Sequence, residues 1–501
     1  MNDWYRLTVI SALAILLLAQ SAAISRRSFW EDETLTARLA VMDFKSIVEE
    51  RAGNNHPPLY WLSVAAWGRV FGYDEWGLKS FSLVWLSLAF YLLYRLTVEV
   101  LNKRAARMAA VLFSLSPFVL TYGHNARYYA MSAALSLLIA LSAYLYRATG
   151  RAPYLGVYIA VAIALSYTMY MSVAILLAVN LWWLIVWQRS PRAGHGVLGW
   201  AMGQALVGLV FLPWLSTLIA AAGRNFSPGP VQSGVLIEIL QRLAYLGFAF
   251  GVGEFYSPLN PLAWIGLVAV LLAMLMALFR RDHAIRLPGL VLLIVIGFSL
   301  IISMVAAYPQ SAWQSLPNRA FFAYPFFLLV IVGGLDHLKS RQAWLAMGVF
   351  SVVYGVGMFN YFADREVVKP ILTVPWKAIM EQIKAESASS ALIFCSQADT
   401  ACDYYARRYG WDGHHASEWA ALEVENPSQI WWIHTNLGTV IPGMDNEQQV
   451  LEVMRSSYPG SHTTYYAPQN AGIRKFKSVL GQVDYAFRVE LYRFDVQFPS
   501  E

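Results

Sequence analysis

Long apolar runs recur along the first 360 positions, separated by short polar loops. A bilayer core about 30 Å thick is spanned by about 20 apolar residues in a helix. The runs predict eleven membrane-spanning helices, over residues 7–24, 78–100, 106–121, 127–146, 154–170, 171–188, 197–221, 260–279, 287–307, 321–337 and 342–360. The stretch Leu59–Phe71 is apolar but short, with two tryptophans and Arg69 inside it. It is expected to lie in or near the membrane interface. Beyond Arg365 the period changes. Strand-like pieces appear at Ala391–Cys395, Gln429–Thr435 and Tyr485–Val496, with amphipathic helical patterns around Trp376–Lys384, Thr400–Tyr409 and Glu447–Ser456. That alternation predicts a small α/β layer.

Composition removes the soluble alternative. Hydrophobic residues make up 57% of the 501 positions and charged residues 14%, where soluble domains carry about 25% charged. The net charge of +6 does not point to nucleic acid, because most lysines and arginines sit in short loops between apolar runs. With the N-terminus in the cytoplasm, five basic sets fall on the cytoplasmic side: Lys103, Arg104 and Arg107; Arg147 and Arg151; Arg189 and Arg192; Arg280, Arg281 and Arg286; Lys339 and Arg341. This is the positive-inside pattern, and it holds only if Leu59–Phe71 does not cross. Residues 25–77, 222–259 and 308–320 and the C-terminal domain are then external. The first apolar run is followed by Arg26-Arg27-Ser28 without a convincing cleavage site, so it is read as an uncleaved span. The division expected is a membrane domain over 1–365, with its external loop at 25–77, and a C-terminal extracytoplasmic domain over 366–501.

The only two cysteines, Cys395 and Cys402, lie in that C-terminal domain. An external domain faces an oxidising compartment, which permits a disulfide between them; two free thiols are the other reading. Two cysteines without close histidine partners fall short of a zinc site.

Candidate chemistry collects at the external ends of the spans. The first loop opens Phe29-Trp30-Glu31-Asp32-Glu33-Thr34. Three consecutive carboxylates beside a membrane are costly unless solvated or paired. They suit either an acidic helix start, where they offset the dipole, or catalysis. The loop continues His56-Pro57-Pro58-Leu59-Tyr60-Trp61; the prolines fix an extended approach, and the histidine is either a loop hydrogen-bonding residue or a contact to a polar ligand. Two further pieces are Tyr122-Gly123-His124-Asn125-Ala126-Arg127-Tyr128-Tyr129 and Pro317-Asn318-Arg319-Ala320-Phe321-Phe322. An arginine at a span end calls for an anionic partner, either a carboxylate or a phosphate.

The order of an Asp-Glu pair after the first span, then His-Pro-Pro-Leu, then Ala-Arg-Tyr, then a late Pro-x-Arg-aromatic resembles the GT-C fold glycosyltransferases. The nearest resemblance is to the bacterial relatives of the protein O-mannosyltransferases and of the lipid A aminoarabinose transferase. It covers residues 1 to about 360 and is most specific at Asp32-Glu33 with His56-Pro57-Pro58-Leu59; Phe321 departs from it, standing where relatives often carry Tyr. The resemblance implies a polytopic α-helical enzyme of a bacterial inner membrane that takes a sugar from a polyprenyl-phosphate donor. The acceptor would be a glycolipid, polysaccharide or protein on the extracytoplasmic side. It implies inversion at the anomeric centre, catalytic roles for Asp32 and Glu33, and substrate contacts from His56, Tyr60, Arg127, Tyr128 and Arg319. No cofactor is expected: the leaving lipid phosphate is already charged, although some relatives on this fold use a divalent metal. The partners implied are donor, acceptor and membrane lipid, with no nucleic acid. Three other readings stand beside it: a transporter, which would want charges in mid-membrane; a non-catalytic subunit of a glycan assembly or export complex; and a ligase moving a whole lipid-linked glycan.

Overall fold

The computed structural model describes residues 3–54, 56–189, 196–225, 235–279, 286–305, 316–387, 391–396, 400–415, 418, 428–435, 444–458, 462–466, 472–473 and 489–495. The chain divides into two units. One comprises Met1–Ala23, Leu39–Phe255 and Asn260–Tyr361; the other comprises Ile24–Arg38, Tyr256–Leu259 and Phe362–Glu501.

The helices of the N-terminal 362 residues are α1 (Asp3–Arg26), α2 (Glu31–Ala40), α3 (Phe44–Gly53), α4 (Leu59–Phe71), α5 (Glu75–Val100), α6 (Lys103–Leu115), α7 (Pro117–Tyr122), α8 (Tyr129–Thr149), α9 (Ala152–Ser166), α10 (Val173–Arg189), α11 (Val197–Asn225), α12 (Val235–Val252), α13 (Pro261–Phe279), α14 (Arg286–Val305), α15 (Leu316–Arg319), α16 (Tyr324–Asp336) and α17 (Ser340–Phe362). Six segments among the described residues are long and apolar enough to cross a bilayer: Tyr5–Arg26, Glu75–Val100, Tyr129–Thr149, Val197–Ala220, Pro261–Phe279 and Ser340–Phe362. Shorter apolar helices cover Ala152–Ser166, Tyr170–Val186, Arg286–Gly297 and Phe321–Asp336. The architecture is a polytopic helical membrane protein with a small C-terminal sheet.

Local chemistry sets the helix ends. Asn102 caps α6 by accepting the N–H groups of Arg104 and Ala105 at 2.8 and 3.0 Å, which satisfies donors the first turn leaves open. The single run expected over 106–121 is broken at Ser116-Pro117. Pro117 cannot donate to the preceding helix, and Ser116 Oγ instead caps α7 through the Val119 N–H at 3.2 Å. The stretch Leu59–Phe71 is one helix with those bounds, opened after two prolines and closed at Gly72, whose φ of +93° is strained for any residue with a Cβ. Segment 222–259, expected only as an external stretch, contains the 18-residue helix α12. Helix α8 is buried along most of its length. A Cβ on Gly334 would stand 1.9 Å from the Ala273 carbonyl oxygen, so α13 and α16 approach as closely as a glycine allows.

In the C-terminal unit, α18 (Trp376–Glu386), β1 (Ala391–Cys395), α19 (Thr400–Arg408), β2 (Gly413–His414), β3 (Gln429–Thr435), α20 (Met444–Ser457), β4 (His462–Tyr466) and β5 (Val489–Asp495) follow in order. The sheet order is β2-β1-β3-β5-β4; β1 runs parallel to β2 and β3, and β5 antiparallel to β3 and β4. Phe394, Trp432 and Tyr492 stand side by side across β1, β3 and β5 and form a buried core with Leu451 and Met454 of α20. Cys395 at the end of β1 and Cys402 on α19 are joined by a disulfide, with Cα atoms 5.8 Å apart.

Candidate active site

The predicted site residues fall into two groups, one in each unit. Asp32 and Glu33 belong to Ile24–Arg38, which is grouped with the C-terminal unit. Both sit on the first turn of α2. The backbone N–H of Trp30 donates to Glu33 Oε2 at 3.2 Å. This is the reach-back half of a capping box, in which the third helical residue satisfies an amide that the helix start leaves open. Glu33 is buried and Asp32 half-buried. Two threonines knit the turn together: Thr34 Oγ1 donates to the Glu31 carbonyl at 2.8 Å and Thr36 Oγ1 to the Asp32 carbonyl at 3.3 Å.

The segment before them is held at several points. Arg26 and Arg27 both reach Asp364, at 2.6 and 2.7 Å. The Lys377 N–H donates to Ser28 Oγ at 3.2 Å. The Phe29 N–H donates to the Tyr405 hydroxyl at 2.7 Å. Lys369 Nζ lies 5.2 Å from the centroid of the Trp30 ring.

In the membrane unit, His56, Tyr60, Arg127 and Tyr128 gather around Trp61 of α4. The Arg127 guanidinium lies 5.0 Å from the Trp61 ring centroid and 5.3 Å from that of Tyr128. Tyr60 meets Trp61 edge-on at 5.4 Å and Tyr128 at 6.1 Å, and the His56 ring is 6.4 Å from Trp61. The Leu59 N–H, donated to the Tyr167 carbonyl at 2.9 Å, anchors the start of α4. Arg319 is linked through its neighbour: its backbone N–H donates to Asn318 Oδ1 at 3.1 Å, and Asn318 Nδ2 donates to the Tyr129 hydroxyl at 2.9 Å. Tyr129 is 5.1 Å from Tyr128. Arg127 is 5% exposed, whereas Arg319 is half-buried.

Two residues at this site lie outside the set named from the sequence. Arg51, 2% exposed, places its guanidinium 4.8 Å from the Trp61 centroid and meets Glu50 Oε1 at 3.2 Å. The signal for it was its spacing on α3, four residues after buried Ile47, which puts both on one face. Glu254 is buried and accepts the hydroxyls of both Tyr122 and Tyr245. A lone carboxylate set between Phe250 and Phe255-Tyr256 was its signal. Among the described residues no three His, Cys, Asp or Glu side chains gather as a metal site.

Burying a guanidinium costs several kcal/mol, and a desolvated cation–π contact returns about 2 kcal/mol. Two such groups on one indole give the face of α4 around Trp61 a positive character. The tyrosine rings wall that cluster with apolar area and add hydroxyl donors.

The sequence profile of the dolichyl-phosphate-mannose-protein mannosyltransferase family matches residues 55–216, an interval that contains His56, Tyr60, Arg127 and Tyr128. Among solved structures, ArnT from Cupriavidus metallidurans bound to undecaprenyl phosphate aligns over 98% of this chain and 99% of that one, at 12% identity and a TM-score of 0.56. The apo state of ArnT aligns equally widely, at 11% identity and 0.55. The oligosaccharyltransferase AglB from Archaeoglobus fulgidus, in complex with an inhibitory peptide and a dolichol-phosphate, aligns over 93% of this chain and 73% of that one, at 12% identity and 0.50. Among curated protein sequences none matches significantly. The class these likenesses define is the GT-C fold of membrane glycosyltransferases. Within it, the chain is similar to the protein O-mannosyltransferases over residues 55–216 and to ArnT in fold.

Proposed function

We propose that this protein is an inverting glycosyltransferase of a bacterial inner membrane, moving one sugar from a polyprenyl-phosphate donor to an extracytoplasmic glycolipid, polysaccharide or protein. The observation that carries the reading is the buried guanidinium of Arg127, set against Trp61 and Tyr128 beside a second guanidinium from Arg51. Undecaprenyl phosphate and dolichol-phosphate in the two structural relatives are the kind of anion such a cluster suits. The donor's lipid tail lies in the bilayer, so its phosphate lies at the membrane surface. Asp32 follows the end of the apolar helix α1 by six residues, which keeps it near such a surface by chain connectivity alone.

In the transfer, the acceptor hydroxyl oxygen attacks the anomeric carbon as the bond from that carbon to the phosphate oxygen breaks. The proton passes from the acceptor hydroxyl to the Asp32 carboxylate. The electron pair leaves with the polyprenyl phosphate, whose growing charge Arg127 and Arg319 stabilise. His56, Tyr60 and Tyr128 contact the donor. Glu33 supports the turn that presents Asp32. The test is mass spectrometry of lipid-linked sugars and surface glycans in cells lacking the gene, complemented with wild type or with Asp32→Asn. Accumulation of one lipid-linked sugar, with loss of that sugar from a surface glycan, in the deletion and in Asp32→Asn is the expected result. Unchanged lipid and glycan pools would refute the reading.

A further inference from the structure

We infer that the disulfide-braced helix α19 positions the acidic turn through Tyr405, so that full transferase turnover requires the oxidised C-terminal unit. The inference rests on the reading of Asp32 as the base. The acidic turn is anchored from its N-terminal side through Phe29. Three residues before Asp32, the Phe29 N–H is buried and donates to the Tyr405 hydroxyl at 2.7 Å, and the Phe29 ring meets Tyr404 edge-on at 5.9 Å. Both tyrosines belong to α19, so this one helix holds Phe29 by backbone and by ring.

The position of α19 is itself fixed covalently. Cys402 and Tyr405 are one turn apart on the same helical face, and Cys402 is bonded to Cys395, the last residue of β1. Beyond Cys395, the Ser396 N–H donates to the Ile433 carbonyl of β3 at 3.2 Å. The path from Asp32 to the sheet is therefore short: α2, Phe29, Tyr405, Cys402, Cys395, β1. Stacking of Tyr405 on Trp376, with the rings 11° from parallel, sets the direction of its hydroxyl.

The brace is not the sole tie. His415 Nε2 reaches Asp403 Oδ2 at 3.5 Å while its Nδ1 faces the Cys395 carbonyl at 3.2 Å. Reduction should thus loosen α19 and not release it. A base must stay within about 3 Å of one hydroxyl, and a displacement of about 1 Å costs up to about 100-fold in rate. A loosened α19 should cost about 10-fold in turnover, with lipid-phosphate binding unchanged, because the guanidinium cluster lies in the other unit.

The experiment uses full-length protein in lipid nanodiscs. A two-electron thiol reductant such as dithiothreitol acts only on this bond, since the chain has two cysteines. Three states are compared with oxidised wild type: reduced wild type, Cys395→Ser with Cys402→Ser, and Tyr405→Phe, which keeps the ring and removes only the hydroxyl. Hydrogen–deuterium exchange is read on the peptide 25–38, undecaprenyl phosphate binding by titration, and turnover as lipid-linked sugar accumulating in cells that carry each variant. The expected result is faster exchange at 25–38 in all three, sugar accumulation in both variants, and undecaprenyl phosphate affinity within about twofold of wild type. Unchanged exchange at 25–38 would overturn the inference. So would faster exchange with normal glycans, or a parallel loss of lipid-phosphate binding, which would mark α19 as a general structural support. Full activity of Asp32→Asn in the same cells would instead remove the assignment of the base, whatever the exchange shows.

Discussion

Glu33 Oε2 accepts the backbone N–H of Trp30 at 3.2 Å across the first turn of α2, and this bond separates the roles of two adjacent carboxylates. Glu33 closes a capping box, while Asp32 stands half-buried beside it. Asp32→Asn keeps the shape and removes the basicity, so transfer should fall on the order of 100-fold or more with undecaprenyl phosphate binding retained. Glu33→Gln still accepts the Trp30 amide and should fold and work nearly as wild type, whereas Glu33→Ala should lose about 1 kcal/mol of stability. Turnover in cells and thermal unfolding of the purified variants check both. An active Asp32→Asn beside a dead, well-folded Glu33→Gln would exchange the two roles.

The sequence made some of this legible for identifiable reasons. Helix α4 appears with the bounds read from its apolar stretch because Pro57-Pro58 and Gly72 punctuate it. Strands β1 and β3 match their apolar runs residue for residue, since each is buried on both faces and bounded by polar segments. Strand β4, rich in Thr and Tyr, and the two-residue β2 carried too little apolar pattern to be seen. Pairings across distance were not legible either. The bond from Phe29 to Tyr405 joins positions 376 apart, and nothing local in either segment announces it. Arg51 is not singled out by the sequence because only the fold brings it to Trp61.

Helix α12 makes a sharp test of topology. It is 18 residues long, and if it crossed the bilayer, Arg280, Arg281 and Arg286 would move to the external side against the positive-inside pattern. Reporter fusions placed after Asn225 and after Asn260 should therefore give the same, external signal. Fusions after Lys103 and after Glu501 should give opposite signals, cytoplasmic and external. Opposite signals on the two sides of α12 would show that it spans.

Asp403 on α19 gives a pH dependence. Burial raises its carboxyl above the ordinary value of 3.8, with the nearby His415 opposing the shift. A raised folded value means that the protonated form is favoured in the folded chain. The stability this group contributes is full below 3.8 and is lost as pH rises through the folded value. At neutral pH its charge is a net cost, softened because the group is only half-buried. Asp403→Asn should raise the unfolding temperature of the full-length protein at pH 7, and the gain should vanish as pH approaches 3.8. A lowered unfolding temperature at pH 7 would mean that the contact to His415 at 3.5 Å outweighs the burial.

Arg127 and Arg319 offer the most direct test of how the donor is held. Both are read as phosphate contacts, but their settings differ. Arg127 is 5% exposed and lies 5.0 Å from the Trp61 centroid, so little of its binding strength is lost to water. Arg319 is half-buried and is tied to the cluster through Asn318 and Tyr129. A charge-assisted contact contributes about 1.5–3 kcal/mol, and the larger share should fall to the drier group. Arg127→Ala should weaken undecaprenyl phosphate binding about 100-fold, and Arg319→Ala about 10-fold, on that basis. Lysine at either position should restore only part of the loss, because an ammonium cannot present two parallel N–H groups to one phosphate. Trp61→Leu keeps apolar volume but removes the ring that both Arg51 and Arg127 rest upon. It should weaken phosphate binding while leaving the exchange of the peptide 25–38 unchanged, since that peptide is held within the other unit. Titration of undecaprenyl phosphate into nanodisc-embedded protein measures binding in all five variants. Unaltered binding in Arg127→Ala and Arg319→Ala together would show that the lipid phosphate is held elsewhere, and the guanidinium cluster would then be a structural support of α3 and α4 alone.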